Sequence, residues 1–300
     1  MATSDVLSLL RKPRLSNLRH DEDKHVYLCL GHVTRDIHAQ GWNFGGTAYY
    51  SGLTAAALGY RAVVVTRMKN SDLKCLRQDY PEVDWLSKSA RTATTFENVY
   101  GSSGRSQFVR ERAPRLNAQQ ITDCPISPSI THLGPILGEI GPKIMAAIAG
   151  RSLVALTGQG LLRSTASDGR VRWSRTRFTT EAFRSADISV LSAEDVGGDR
   201  AVARDLLSRS RTGVLTDGSG VIQAHEGGRW FEMPVVARPN RNPTGVGDIF
   251  STALFVRYNA SRNVEDAITF ASEAAARWVS APLPGRYPQL DEKQRPRTRC

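Results

Sequence analysis

The sequence predicts an α/β protein with a mostly parallel central sheet and a small β lid. Three observations carry that expectation. Short apolar runs that end in glycine, such as "HVYLCLG", "SLVALTG" and "TGVLTDG", alternate with stretches of helical spacing. A strand, a glycine turn, a helix and a second strand follow one another near the start, an order that suits parallel pairing. No internal repeat or low-complexity linker divides the 300 residues, and 40% hydrophobic content supplies one sizeable core.

Residues 1–24 read as a polar lead-in, and the folded domain is expected over 25–285. "HVYLCLG" is a buried strand, Gly45 and Gly46 form a turn, and "TAYYSGLTAAALGY" is an alanine-rich helix followed by the strand "RAVVVTRM". Within 92–112, β-branched and aromatic residues flank a "GSSG" turn, which predicts a hairpin and places the lid there. Beyond it the strand "SITHLG", a helix near 137–149 and the strands "SLVALTG" and "DISVLS" are expected, then a helix near 196–208 and the strand "TGVLTDG". Helices over 248–258 and 264–280 close the domain, the second with Ala267, Phe270, Ala271, Ala274 and Trp278 on one face. Residues 286–300 form a basic tail.

Thirty-three of the 40 basic residues are arginine, and the formal net charge is +11. Such an excess fits an acidic partner or an arginine-rich background. The scatter of the arginines, with no interleaved aromatic recognition motif, favours the background and predicts no specific nucleic-acid partner. The four cysteines are far apart, which predicts neither a zinc site nor a disulfide framework and suits a reducing cytoplasm. No apolar run approaches the roughly 20 residues of a membrane span.

The P-loop, zincin and hydrolase-elbow signatures are missing, and "TGQGLLR" lacks the third glycine of the dinucleotide fingerprint. "NPTGVGDIFSTALFVRY" is more informative. Phe250, Ala253, Leu254 and Tyr258 fall at helical spacing, so Gly245 to Gly247 should form a turn at the helix start with free backbone N–H groups. The helix field there should lower the pKa of Asp248 and keep it ionised. An ionised aspartate beside an anion hole can orient a hydroxyl and accept its proton while the N–H groups stabilise a transferring phosphoryl group. The same pattern also fits a capping aspartate after a flexible turn.

"TGVGDIF" resembles the C-terminal signature of the pfkB (ribokinase-like) carbohydrate kinases, and further pieces follow in that family's order across residues 26 to 285. "HVYLCLGHVTRDIH" is similar to its first strand with a substrate-binding aspartate, and "GGTAYYSGLTAAALG" to its second glycine motif. "VLTDGSG" is similar to the strand and turn lining the nucleotide, and "TFASEAAARWVSAPLPG" to the closing helix by the adenine. The resemblance implies a three-layer αβα sandwich and an ATP-dependent, Mg²⁺-assisted transfer to a polyol, sugar or nucleoside. Asp248 would be the base, with Gly245, Val246 and Gly247 around the transferring phosphate. Thr216, Gly218, Gly220 and Ser272 would sit by the nucleotide, and Asp36, Gly45 and Gly46 by the acceptor.

The proline before the signature, with "THLGPILGEI" and "TGQGLLR", resembles the inositol-kinase-like members and adds Glu139 and Arg163 as acceptor-side candidates. Three positions depart from the family pattern. Asn242 stands where the family commonly has an acidic residue near a metal or K⁺ site. Ser192-Ala193-Glu194-Asp195 replaces its N-x-x-E motif, leaving Asp195 or Glu194 to order Mg²⁺ through water. The asparagine often found in the closing helix has no counterpart in "ASEAAA". A non-catalytic sugar or nucleotide sensor on the same fold is the alternative these losses leave open. An exposed β lid could pair across a homodimer.

Overall fold

The computed structural model describes residues 25–38, 41–101, 104–123, 126–150, 152–218, 220–234 and 244–280. The lead-in, the basic tail and Asn242 lie outside them.

The strands run β1 (Val26–Leu30), β2 (Thr34–His38), β3 (Gly41–Gly45), β4 (Arg61–Met68), β5 (Val83–Ser89), β6 (Thr94–Gly101), β7 (Gly104–Glu111) and β8 (Ile130–Leu133). They continue as β9 (Leu153–Thr157), β10 (Arg163–Thr165), β11 (Val171–Trp173), β12 (Ile188–Ser192), β13 (Thr212–Thr216), β14 (Val221–Glu226) and β15 (Arg229–Pro234). The helices are α1 (Thr47–Ala57), α2 (Asn70–Asp79), α3 (Gln119–Thr122), α4 (Pro142–Ile148), α5 (Arg177–Arg184), α6 (Arg200–Leu207), α7 (Val246–Ser261) and α8 (Val264–Ser280).

Nine strands form the main sheet in the order β15-β14-β13-β12-β9-β8-β1-β4-β5. From β5 to β13 every pair is parallel, and the β13-β14-β15 edge is antiparallel. The period of two explains why the sheet sits between two helical layers. On β1, Tyr27 and Cys29 join the core under α1, α7 and α8, while Val26, Leu28 and Leu30 join the core under α4, α5 and α6. β4 and β9 divide the same way, with Val64 and Ala155 on the first face and Val65 and Leu156 on the second. Both faces are covered, which is the three-layer arrangement the sequence predicts.

The predicted hairpin is β6–β7, but the lid extends beyond 92–112. β2 and β3 add to it in the order β3-β2-β6-β7. A bidentate ion pair fastens this sheet to the body: Arg35 on β2 donates Nε to Asp72 Oδ2 at 3.0 Å and its terminal nitrogen to Oδ1. Asp72, on α2, is fully buried. Arg35 also lies 4.4 Å over the Trp42 ring of β3. The fully buried Phe96 of β6 packs with Ile136 and Leu137 of the loop after β8.

Two expectations change. The helix predicted near 137–149 is confined to Pro142–Ile148, because proline favours the first turn and the preceding backbone is extended at Gly141. Cys75, on α2, is disulfide-bonded, where the spacing of the cysteines predicted no disulfide framework. Among the described residues no helix is long and apolar enough to cross a membrane.

Candidate active site

The carboxyl ends of β1, β8, β9, β12 and β13 open on the same edge of the sheet, and the start of α7 meets them there. Ligands of open parallel sheets bind at such an edge. The first ladder bond of α7 runs from Ile249 N–H to Gly245 O at 2.9 Å, so the N–H groups of Val246, Gly247 and Asp248 precede the ladder. Gly245 caps the helix with φ 80, a left-handed conformation that glycine adopts without strain. Gly247 is exposed and has nothing within 4 Å of a notional Cβ, so the turn offers an open approach to its backbone.

Asp248, in the first turn of α7, is the focus of this edge. Its pKa is raised from 3.8 to about 6, opposite to the direction the helix field alone predicts. Burial is the largest cause; the Asp195 and Asp36 carboxylates push the same way, while Thr47 and the Arg163 guanidinium pull it down. Desolvation and two like charges therefore outweigh the helix field. Residues from four elements thus converge on Asp248: Asp36 from β2, Thr47 from α1, Arg163 from β10 and Asp195 from the turn after β12.

Asp36 is set by its strand. Thr34 donates its hydroxyl to Asp36 Oδ1 at 2.9 Å, and a Cβ on Gly45 would stand 2.1 Å from Asp36 Oδ2. Only glycine at 45 leaves the carboxylate its place. Gly46 then caps α1 with φ 85. Thr47, the next residue, is fully buried, and its hydroxyl approaches the Asp248 carboxylate without completing a hydrogen bond of standard geometry.

Asp195 and Ser192 form a reciprocal cap: Ser192 N–H donates to Asp195 Oδ2 at 2.8 Å. Burial raises the Asp195 pKa, opposed by that bond, by Arg163 and by the Gln159 side chain. Glu194 is exposed. Among the described residues no three His, Cys, Asp or Glu side chains lie close enough to cage a metal. One inward carboxylate fits a hydrated Mg²⁺, which keeps most of its waters and takes donor phosphates as ligands.

Thr216 ends β13 in register with Ser192 of β12, and Gly218 and Gly220 follow with φ 70 and 89. Ser272, on α8, donates its hydroxyl to Ile268 O at 2.7 Å.

Glu139 has a different setting from the surface helix position its neighbourhood suggests. It is fully buried in the loop before α4 and accepts from the N–H groups of His32, Ile136 and Leu137 at 2.8 to 3.1 Å. His32 accepts at Nδ1 from the Thr94 hydroxyl at 2.8 Å and donates Nε2–H to Pro114 O at 3.0 Å, joining this loop to the lid. Burial lowers the His32 pKa, so the ring is neutral, as this donor and acceptor pattern requires. Sequence reasoning missed Thr47, Gln159 and His32. The signal for Thr47 was present, a hydroxyl placed directly after the glycine pair that opens a helix.

No family model and no curated protein matches the chain. Solved structures do. A pyrophosphate-dependent kinase in the ribokinase family, complexed with a pyrophosphate analog and myo-inositol, superposes with a TM-score of 0.73 at 17% identity, over 84% of this chain and 95% of that one. Ribokinase from Thermotoga maritima gives 0.63 at 15% identity, over 86% and 93%. A nucleoside kinase from Methanocaldococcus jannaschii gives 0.58 at 14%, over 86% and 93%. What such likeness establishes is architecture: this chain has the ribokinase fold.

Proposed function

We propose that the chain is a small-molecule kinase that transfers the γ-phosphoryl group of ATP to a hydroxyl of a polyol or sugar, inositol-like or ribose-like. The observation that carries this reading is the convergence of Asp36, Arg163, Asp195 and Asp248 beside the unladdered N–H groups of α7. Asp248 accepts the acceptor's hydroxyl proton as its oxygen bonds to phosphorus. The bond from phosphorus to the bridging oxygen breaks, and ADP leaves with that electron pair. The Gly245 to Gly247 turn stabilises charge on the transferring group, and Asp36 with Gly45 and Gly46 holds the acceptor hydroxyls. Arg163 balances negative charge between Asp195 and Asp248. Mg²⁺, held through water by Asp195, would neutralise the donor phosphates when bound.

A second reading of the donor has specific support. The structures described as pyrophosphate-dependent superpose with TM-scores of 0.71 and 0.73, against 0.63 for a fructokinase with bound ATP from Xylella fastidiosa. With that donor the leaving group is inorganic phosphate and the roles of Asp248 and the glycine turn are unchanged.

The test is phosphorylation of myo-inositol, ribose and nucleosides by the full chain with Mg²⁺, with ATP or pyrophosphate, and with or without K⁺. Turnover of a polyol or sugar is expected. Turnover of a nucleoside alone moves the acceptor class, and tight ligand binding with no turnover by either donor supports the sensor instead. The K⁺ arm asks whether Asn242 has cost a cation site.

A further inference from the structure

We propose that Tyr50 and Trp278 form an aromatic brace that holds the Gly245 to Gly247 turn in its anion-accepting conformation and ties it to the acceptor-side helix. For its catalytic consequence the proposal rests on the kinase reading; its geometry stands without it. Two contacts fix the residues just before the N–H groups of α7. The Trp278 indole donates to Thr244 O at 3.1 Å, and the Tyr50 ring lies against Gly245, where a Cβ would stand 2.6 Å from two ring carbons. The rings meet each other edge to face, with centroids 6.3 Å apart at 74°.

The brace spans three elements. Tyr50 lies in the first turn of α1, its N–H bonded to Gly46 O at 3.3 Å, so it is fixed to the glycine pair beside Asp36. Trp278 belongs to the last turn of α8 and is 5% exposed. Gly245 therefore answers two demands at once, a positive φ and room for a ring, at the residue that precedes the unladdered N–H groups of α7. Donor-side N–H groups and acceptor-side glycines are held at a set separation through Tyr50. Transfer depends on that separation, since a misplacement of about 1 Å can cost about a hundredfold in rate. Both aromatic residues act through Gly245 and Thr244, which makes them positioning residues.

Three full-chain variants separate this from ordinary packing. Trp278→Phe keeps a ring and removes the hydrogen bond, Tyr50→Leu removes the ring from Gly245, and Tyr50→Phe keeps it. The readouts are kcat, acceptor KM, melting temperature, and calorimetric binding of ATP and of inorganic pyrophosphate with Mg²⁺. Trp278→Phe and Tyr50→Leu are expected to lower kcat by about ten- to a hundredfold and weaken binding of the donor, with acceptor KM within about twofold of wild type. Tyr50→Phe should retain most activity. Wild-type kcat and donor affinity in both Trp278→Phe and Tyr50→Leu, or losses confined to acceptor KM or melting temperature, would overturn the brace. If the wild-type chain binds a donor but transfers nothing, the kinase reading fails and calorimetry alone still decides the brace. Binding of neither donor by the wild-type chain overturns both.

Discussion

Asp248 carries a cost that its proposed role explains. Its folded pKa of about 6 lies above the ordinary 3.8, so the folded chain holds this proton more tightly than the unfolded chain does. The contribution of this group to stability is therefore lost as pH rises from about 4 through 6, on the order of 2 to 3 kcal/mol. Asp248→Asn should raise the melting temperature at pH 7.5 and bring little change at about pH 3, where the wild-type carboxyl is protonated in both states. A lower melting temperature at pH 7.5 would contradict the buried-charge account. Because a base must be ionised to accept a proton, kcat/KM should rise with a midpoint near pH 6 in the free enzyme. A flat profile from pH 5 to 7 would assign the proton elsewhere. The identity of this residue was legible from the glycine turn and helical spacing. The direction of its pKa was not, because Asp36, Asp195 and Arg163 reach it from distant parts of the sequence.

At the level of elements, the lid is where sequence and structure differ most. β6 and β7 announce themselves through β-branched residues around a glycine turn. β2 and β3 do not, since "TRDIH" and "GWNFG" are only five residues each and adjoin a glycine pair that reads as a turn. β2 takes its strand character from pairing with β6, a contact some 60 residues away in sequence, and β3 pairs with β2. The buried Arg35 and Asp72 pair then decides how that sheet sits on α2. Removing one partner of such a pair costs about 3 to 5 kcal/mol, so Asp72→Asn should lower the melting temperature. Since Asp36 follows Arg35 on β2, the same variant should raise acceptor KM more than donor KM. Equal changes in both would mean that the pair stabilises the body without orienting the lid. The long apolar strands were legible throughout, because both faces of β1, β4 and β9 are buried and their runs are continuous.

For the whole molecule, the parallel order is what turns scattered residues into one site. Ser192 of β12 and Thr216 of β13 sit in register although 24 positions separate them, and the turn after β12 brings Asp195 to the Asp248 carboxylate. The three layers were predictable from alternation, whereas the order of the parallel strands requires long-range pairing, and the β10–β11 hairpin that carries Arg163 has strands of only three residues, too short for a periodic signal. Among the described residues, the Asp36 and Asp195 carboxylates and the Arg163 guanidinium are the charges that act on Asp248 most strongly. The central claim is that this edge transfers a phosphoryl group with Asp248 as base. It is tested most directly by measuring product formation with the best donor and acceptor pair in wild type and in folded Asp248→Asn at pH 7.5. The account predicts a loss of several orders of magnitude in kcat with donor affinity largely kept, and turnover near wild type in that variant would contradict it.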